Sequence, residues 1–351
     1  MPQSKSSRRV RYLEKAIVTE TSSLDSSRQI GASPLVIATA SAAATVLPPA
    51  ALETPSSLVS ALHSAFGQHH CRAVHAKGTI LEGSFTPTAR AKGLSQATVF
   101  SGGAVPITVR FSDFTGMPDI PDTIGDANPR GFAIKFNLPA GGELDLVAHS
   151  FNGFPTRTSD EFAQLLRAIG ASGAGAAKPT ELDRFLGAHP IAKVFLTTQK
   201  PPPVSYGTLN YFGVNAFTFV DAAQRRRAVR YRFVPSAGEH VLDAAALTAK
   251  GPDYLREEIE ARVVAAPIVF DWFAQIAELG DLRDDPSIAW PESRELVNLG
   301  TVTIVRLDSE PMKTDKALLF LPGRLPTGIE IADPMIAMRS AAYPISFAER
   351  Q

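Results

Sequence analysis

Hydrophobic and polar positions form two kinds of pattern along this chain. Between residues 58 and 70 the apolar positions recur at helical spacing, as at Leu58, Leu62 and Phe66, which predicts an amphipathic helix from Leu58 to His70. After it, short apolar and β-branched runs separated by Pro- and Gly-rich turns predict strands. These runs are Thr79–Phe85, Ile107–Phe111, Gly131–Leu138 and Leu144–Ala148.

Helical signals interrupt this β pattern near residue 159. Ser159 is predicted to be an N-cap, because Asp160 and Glu161 fall in the first turn and apolar residues follow on one face. Gly170–Lys178 ends that helix, and Thr180–Leu186 predicts another short one.

A second set of strands follows the stiff connector at residues 200–203. The segments predicted here are the hairpin strands Val214–Val220 and Ala228–Val234, the helix Pro252–Arg262, and the longer strands Ile268–Ala277 and Leu299–Leu307. Two sets of strands with inserted and flanking helices predict an α+β fold built on an antiparallel β-barrel, rather than a doubly wound parallel sheet.

The first 56 residues differ in composition from the rest. Residues 1–56 are rich in Ser and Ala and are predicted to be a flexible or disordered extension, with residues 57–351 forming the folded domain. The apolar stretch Pro34–Ala51 is too short and too weakly hydrophobic for an integral membrane segment. As a secretory signal it would start late and follow acidic residues, so a cytoplasmic location is favoured while periplasmic export stays open.

Charge and cysteine content narrow the function further. The 35 basic and 35 acidic residues balance, which argues against an electrostatically driven nucleic-acid or membrane partner and favours a small-molecule function. Cys71 is the only cysteine, so an intramolecular disulfide is excluded and a Cys-ligated metal site is disfavoured. A chain of 351 residues has the length for a large core with a cofactor-sized pocket.

Arg339 and Tyr343 are the first candidates for chemistry. Their i,i+4 spacing places the guanidinium and the phenol on one face of a helix. A phenol ordinarily keeps its proton at neutral pH, so its use as an anionic ligand requires a nearby cation. Tyrosinate is a known protein ligand of haem iron, and the pair therefore predicts an axial ligand, although surface packing would place the same residues together.

His75 is the second candidate. In an extended segment its imidazole faces away from Val74 and Ala76, and a hydroxyl such as that of Ser112 fixes its tautomer. A neutral imidazole beside a peroxide takes a proton from one oxygen and returns it to the other. The alternative interpretation of His75 is a buried histidine with a structural role.

Six runs of the sequence resemble the haem catalase superfamily, and four more resemble its short branch of catalase-related peroxidases, or minimal catalases. The six are Arg72–Gly78, Thr108–Ser112, Asn128–Phe136, Asp145–Val147, Pro322–Glu330 and Arg339–Arg350; the four are His149–Pro155, Tyr211–Phe217, Arg230–Pro235 and Asp284–Pro291. The resemblance covers residues 58–351 and implies a catalase-like haem-binding domain.

The resemblance also implies roles for individual residues. His75 becomes the distal acid–base residue, with Ser112 as its hydrogen-bond partner. Large catalases place an Asn where a gap-free count puts Ser150, and Asn152 is the candidate for that catalytic role after a small loop shift. The cofactor would be haem b, with Tyr343 as the ligand of its iron and Arg339 as the partner of the phenolate. Its propionates would pair with Arg72, Arg110 and Arg350. Its distal face would be lined by Val74 and Phe162.

The predicted function is a haem peroxidase that reduces organic peroxides and hydrogen peroxide with small-molecule one-electron donors, with minor catalase activity. The chain lacks the wrapping domain and C-terminal helical region of large catalases, and the resemblance therefore implies a more open haem. A homo-oligomer, for example a dimer, stays open. One alternative is a fatty-acid hydroperoxide dehydratase like allene oxide synthase, whose members tend to carry Thr where Val74 stands. The other is a non-catalytic haem-binding protein.

Overall fold

In the part of the chain that the computed structural model describes, residues 52–138, 142–198 and 200–351, eight antiparallel strands close into a barrel. Each strand pairs with the next along the chain, and the last returns to the first. The strands are β1 (Gly78–Pro87), β2 (Val105–Ser112), β3 (Gly131–Asn137), β4 (Glu143–His149), β5 (Tyr211–Val220), β6 (Arg226–Pro235), β7 (Ile268–Ile276) and β8 (Leu296–Leu307), with the short β9 (Ile329–Ile331) added to β5.

The barrel interior is filled by aromatic side chains. Phe111 and Phe132, on paired positions of β2 and β3, stack with ring centroids 5.1 Å apart, and Trp272 of β7 is fully buried among them. Such rings combine a large buried apolar area with favourable ring–ring geometry. Because side chains alternate along a strand, the neighbours of these positions face the outside of the barrel.

Helices cover one outer face of the barrel and form a second, smaller core outside it. Leu58 and Leu62 from the first helix meet Ala163, Leu166 and Ala342 from two others. The helices are α1 (Pro55–Phe66), α2 (Ala89–Leu94), α3 (Ser159–Ala171), α4 (Glu181–Ala188), α5 (Pro190–Thr197), α6 (Ala244–Thr248), α7 (Tyr254–Ala265), α8 (Pro311–Ala317) and α9 (Met335–Ala348). The predicted α+β class and antiparallel barrel are confirmed.

Some predicted boundaries were wrong. Helix α1 begins three residues before Leu58 and ends at Phe66, because Thr54 caps it and Gly67 leaves it with φ 88°. Thr158 rather than Ser159 caps α3, since its side chain accepts the Glu161 N–H. Helix α7 lies two to three residues later than predicted.

The predicted N-terminal extension lies outside the described residues up to position 51, and its last residues lead into α1, which begins at Pro55. The predicted division at residue 57 stays a prediction. In the described ranges no helix is long and apolar enough to cross a membrane.

Candidate functional site

A cavity lies on the outer face of the barrel, under the helices α1, α3 and α9. It encloses about 1350 Å³ not filled by atoms, part of it open to solvent. Nine of the ten predicted site residues line it, namely Arg72, Val74, His75, Arg110, Ser112, Phe162, Arg339, Tyr343 and Arg350. Residues more than 250 positions apart in sequence therefore meet at one site.

The floor of the cavity consists of two rows of laterally paired residues on the outer face of β2, β3 and β4. Alternation along each strand places these positions outward while their neighbours fill the barrel. The rows are Ser112, Gly131 and His149, and Arg110, Ala133 and Val147.

His75 lies in the loop before β1 rather than in an extended segment, which corrects the prediction. Its φ is 57°, in the left-handed region that costs a non-glycine residue about 1–3 kcal/mol. Backbone bonds hold this conformation, since the His75 N–H donates to Phe114 O at 2.9 Å and the Ala76 N–H to Thr115 O at 2.9 Å. Val74 and His75 consequently both line the cavity.

The His75 ring is neutral and oriented. Its Nδ1 is 3.1 Å from Ser112 Oγ, as predicted, and the Phe114 ring packs edge-on against it at 5.6 Å. Burial lowers the pKa of His75 to about 3, and the charge of Arg110 and the neighbouring His149 add to this. With Nδ1 engaged by Ser112, Nε2 is the ring nitrogen left for a molecule in the cavity.

Arg339 holds the Tyr343 oxygen with two of its nitrogens. On α9 the guanidinium donates to Tyr343 Oη from Nη2 at 2.7 Å and from Nε at 3.1 Å. Its Nη1 donates to Asn215 Oδ1, and the Asn215 amide donates to the buried Asp333 at 2.8 Å. This relay fixes Arg339, and its guanidinium lies directly against the phenol oxygen.

The three predicted propionate arginines meet at one end of the cavity, and the structure adds an acidic partner. Asp315 of α8 accepts from Arg72 Nη2 at 2.7 Å and from Arg110 Nε at 2.7 Å. Burial lowers the pKa of Arg72 to about 9 and that of Arg350 to about 10, so both remain charged at neutral pH. Burial raises the pKa of Asp315, but the charges of Arg110 and Arg72 outweigh this and hold it below its ordinary range.

These residues fit the haem that the resemblance implies. Three guanidiniums and one carboxylate leave a net charge of about +2, which matches two propionates. Arg350 Nε is buried and has no hydrogen-bond partner among the described residues. The remaining walls are largely apolar, with Val74, Phe154 and Phe162 among them. The Tyr343 oxygen, which Arg339 contacts at 2.7 Å, is the protein atom that would ligate the iron.

Asn152 is the predicted residue that the structure does not bring to the site. It is not among the lining residues, and its amide lies 3.4 Å from Glu292, an exposed side chain. The loop after β4 turns at Gly153, the next residue, which has φ 156°. His149, which ends β4, is the polar side chain found in the cavity instead.

Sequence reasoning missed His149, Asp315 and Asn215. His149 had a signal, because it continues the outward alternation of Asp145 and Val147 on β4. No sequence pattern indicated Asp315 or Asn215, because their hydrogen-bond partners come from distant segments of the chain.

A family model and individual known proteins match this chain over most of its length. The family model described as Catalase matches residues 66–350. A catalase-related peroxidase of Mycolicibacterium paratuberculosis is 38% identical over 84% of this chain and 93% of its own length, and one of Synechococcus elongatus is 33% identical over 85% and 88%.

Solved structures share the fold. A fungal catalase aligns with a TM-score of 0.69 at 21% identity, covering 80% of this chain and 59% of its own. Catalase A of Saccharomyces cerevisiae aligns with a TM-score of 0.69 at 20% identity over 80% and 61%. The chain thus spans about 60% of the length of these larger catalases.

Proposed function

Since the chain belongs to the catalase family, we propose that it is a haem b peroxidase that reduces organic peroxides and hydrogen peroxide with one-electron donors. Disproportionation of hydrogen peroxide would be a minor activity. The observation that carries the proposal is that a neutral His75 and the Arg339–Tyr343 pair line the same cavity.

The cofactor would be held at two ends. Tyr343 Oη would ligate the iron, with Arg339 holding the phenol oxygen in place. Arg72, Arg110 and Arg350 would pair with the two propionates. Val74 and Phe162 would pack against the ring. When bound, haem supplies the redox-active iron.

His75 would move the proton. Its free Nε2 takes the proton from the hydroxyl oxygen of the hydroperoxide and returns it to the other oxygen as the O–O bond breaks. Over the full reaction the peroxide accepts two electrons, one from each of two donor molecules, and two protons, which yields an alcohol and water. Ser112 keeps the ring in the orientation that this transfer requires.

The wall composition supports organic peroxides as substrates. The lining includes Phe154, Phe162 and Val214, apolar side chains that would contact the haem and, where the haem leaves them uncovered, the alkyl group of an organic peroxide.

Three measurements on the purified protein test the proposal. The absorbance spectrum should show haem, and peroxide should drive oxidation of a dye faster than it releases oxygen. His75→Ala should retain haem but lose donor oxidation by about 10²–10⁴-fold. Haem retention with unchanged donor oxidation in His75→Ala would contradict the assigned role.

The same purified protein also distinguishes the two alternative functions, a dehydratase and a haem-binding protein. Conversion of a polyunsaturated fatty-acid hydroperoxide to an allene oxide without any donor would identify a dehydratase. A haem protein that turns over neither substrate would be a binding protein.

A further inference from the structure

Lys200 is a half-buried lysine beside the cavity, and among the described residues it pairs with no acidic side chain. Its ammonium donates to two backbone carbonyls at the end of α5, Phe195 O at 2.7 Å and Thr198 O at 3.2 Å. An ammonium has three N–H donors, so one is left for another partner. Burial alone lowers the pKa of Lys200 to about 8, and the side chain is therefore mostly charged at neutral pH.

Aromatic rings connect Lys200 with the cavity. Its Nζ lies over the faces of Phe151 and Phe195, at 4.5 and 4.9 Å from the ring centroids. The Phe195 ring is in turn 6.5 Å from the ring of His149 and 6.4 Å from that of Phe154, and both of these line the cavity. The ammonium thus lies one aromatic ring behind side chains of the cavity wall.

The charge of Lys200 also acts inside the cavity. Burial is the main reason that the pKa of His149 is low, and the charges of Arg339 and Lys200 lower it further. A positive charge at the edge of a largely apolar cavity attracts an anionic group. The other cations of the cavity have partners in the proposed complex, because three arginines meet Asp315 and the propionates and Arg339 holds Tyr343.

We propose that Lys200 binds the carboxylate of the peroxide substrate, and that the substrates this site prefers are fatty-acid hydroperoxides. The inference rests on the proposed function and names its class of organic peroxide. The hydroperoxide group would lie at His75, the alkyl chain against the apolar wall, and the carboxylate on the remaining N–H of Lys200. Phe195 lies between Lys200 and His149, so the two ends of the substrate must be joined by a chain of several carbon atoms.

Two substitutions at Lys200 and one control test the proposal. Lys200→Met keeps a long apolar side chain and removes the charge, whereas Lys200→Arg keeps the charge. Lys193→Met alters an exposed lysine of the same helix α5. For each haem-loaded protein we would measure kcat/KM for linoleic acid hydroperoxide and for its methyl ester. Calorimetry would give the Kd of linoleic acid, which carries no peroxide.

We expect the wild type to prefer the acid over the ester. Lys200→Met should lower the acid-to-ester ratio of kcat/KM and weaken the binding of linoleic acid, each by about tenfold, because the carboxylate loses a charge-assisted hydrogen bond. Lys200→Arg should stay within about threefold of wild type in both measurements, since a guanidinium also pairs with a carboxylate. Lys193→Met should match wild type. A lysine that only caps α5 would affect acid and ester alike and leave the ratio unaltered.

The acid preference of the wild type should also fall as the pH rises through about 8, the pKa at which Lys200 loses its charge. The substrate carboxylate stays ionised across this range. His149, on which the Lys200 charge acts, has a pKa of about 3 and stays neutral. Lys200→Arg should keep its preference above that pH, because a guanidinium remains charged.

Either of two results would overturn the inference: a wild type without preference for the acid, or an unchanged acid-to-ester ratio in Lys200→Met. If the wild type reduced no peroxide at all, the proposed function would fail. The Kd of linoleic acid in the wild type and in Lys200→Met would then still support or refute carboxylate binding at Lys200.

Discussion

Gly131 lies directly beneath the His75 imidazole: a Cβ atom placed on it would come within 2.6 Å of His75 Nδ1. It would also collide with Ser112 Oγ, the partner of that nitrogen. The φ of Gly131 is not what demands glycine, since the residue lies in a regular strand pairing with Ser112 and His149. The space itself is needed, because the His75 ring occupies it.

Gly131→Ala should therefore impair catalysis more than folding. The added methyl group displaces the His75 ring or breaks its contact with Ser112, and a misplacement of about 1 Å in an active site costs about 10²-fold in rate. Steady-state donor oxidation would measure the loss. Gly93→Ala is the matched control, since a Cβ there meets nothing within 4 Å and activity should be unchanged. Wild-type activity in Gly131→Ala would show that the ring tolerates displacement.

Tyr343→Phe should weaken or abolish haem binding. It removes the oxygen that Arg339 holds at 2.7 Å and leaves that guanidinium with an unpaired face. Haem titration followed by the Soret band measures the effect. Tyr231→Phe is the control, because the buried Tyr231 hydroxyl has no hydrogen-bond partner in the part of the chain that the structure describes, and haem binding should be unchanged. An unchanged Soret spectrum in Tyr343→Phe would refute the ligand assignment.

Asp315→Asn should destabilise the haem-free protein by about 1–3 kcal/mol. Arg110 is 3% exposed and Asp315 26%, so the substitution leaves Arg72 and Arg110 repelling each other without a counter-charge. Haem propionates would restore that charge, and added haem should therefore rescue much of the loss. Urea unfolding with and without haem gives both values.

The stability prediction for Asp315→Asn has a control variant and a result that would contradict it. Glu310→Gln removes an exposed ion pair with Lys313 and should change stability by less than about 0.5 kcal/mol. Equal stability of Asp315→Asn and wild type without haem would show that the carboxylate does not hold the arginines.

The haem-free protein should lose stability as the pH falls from about 6.5 towards 3. His75 and His149 both have a folded pKa of about 3, well below the ordinary value of 6.5, so in this window the unfolded chain binds protons that the folded chain does not. Each contributes a slope of up to about 1.4 kcal/mol per pH unit, and its contribution is complete above pH 6.5. His149→Phe should show a shallower slope by one proton in urea unfolding at several pH values.

Phe154→Leu serves as the comparison for that slope, because it alters the cavity wall without removing a titratable group. Identical slopes for His149→Phe and wild type would mean that His149 titrates alike in both states.

Local features of the site followed from the sequence. Four residues separate Arg339 from Tyr343, and helical geometry alone puts them together, as the 2.7 Å contact confirms. The barrel strands were likewise predicted from short apolar and β-branched runs bounded by Pro- and Gly-rich turns. Short elements such as α8 and β9 went unpredicted, since neighbouring segments rather than their own patterns hold them in place.

By itself, then, the sequence determined the barrel, the helix that carries Tyr343 and nine of the ten predicted lining residues. Only the tertiary structure decided that His149, not Asn152, enters the cavity and that Asp315 joins the arginines. The reason is physical. Spacing within one helix or strand fixes which side chains share a face. The contact of residues 112, 131 and 149 depends instead on the register between strands. The contact of residues 72, 110 and 315 depends on where α8 packs.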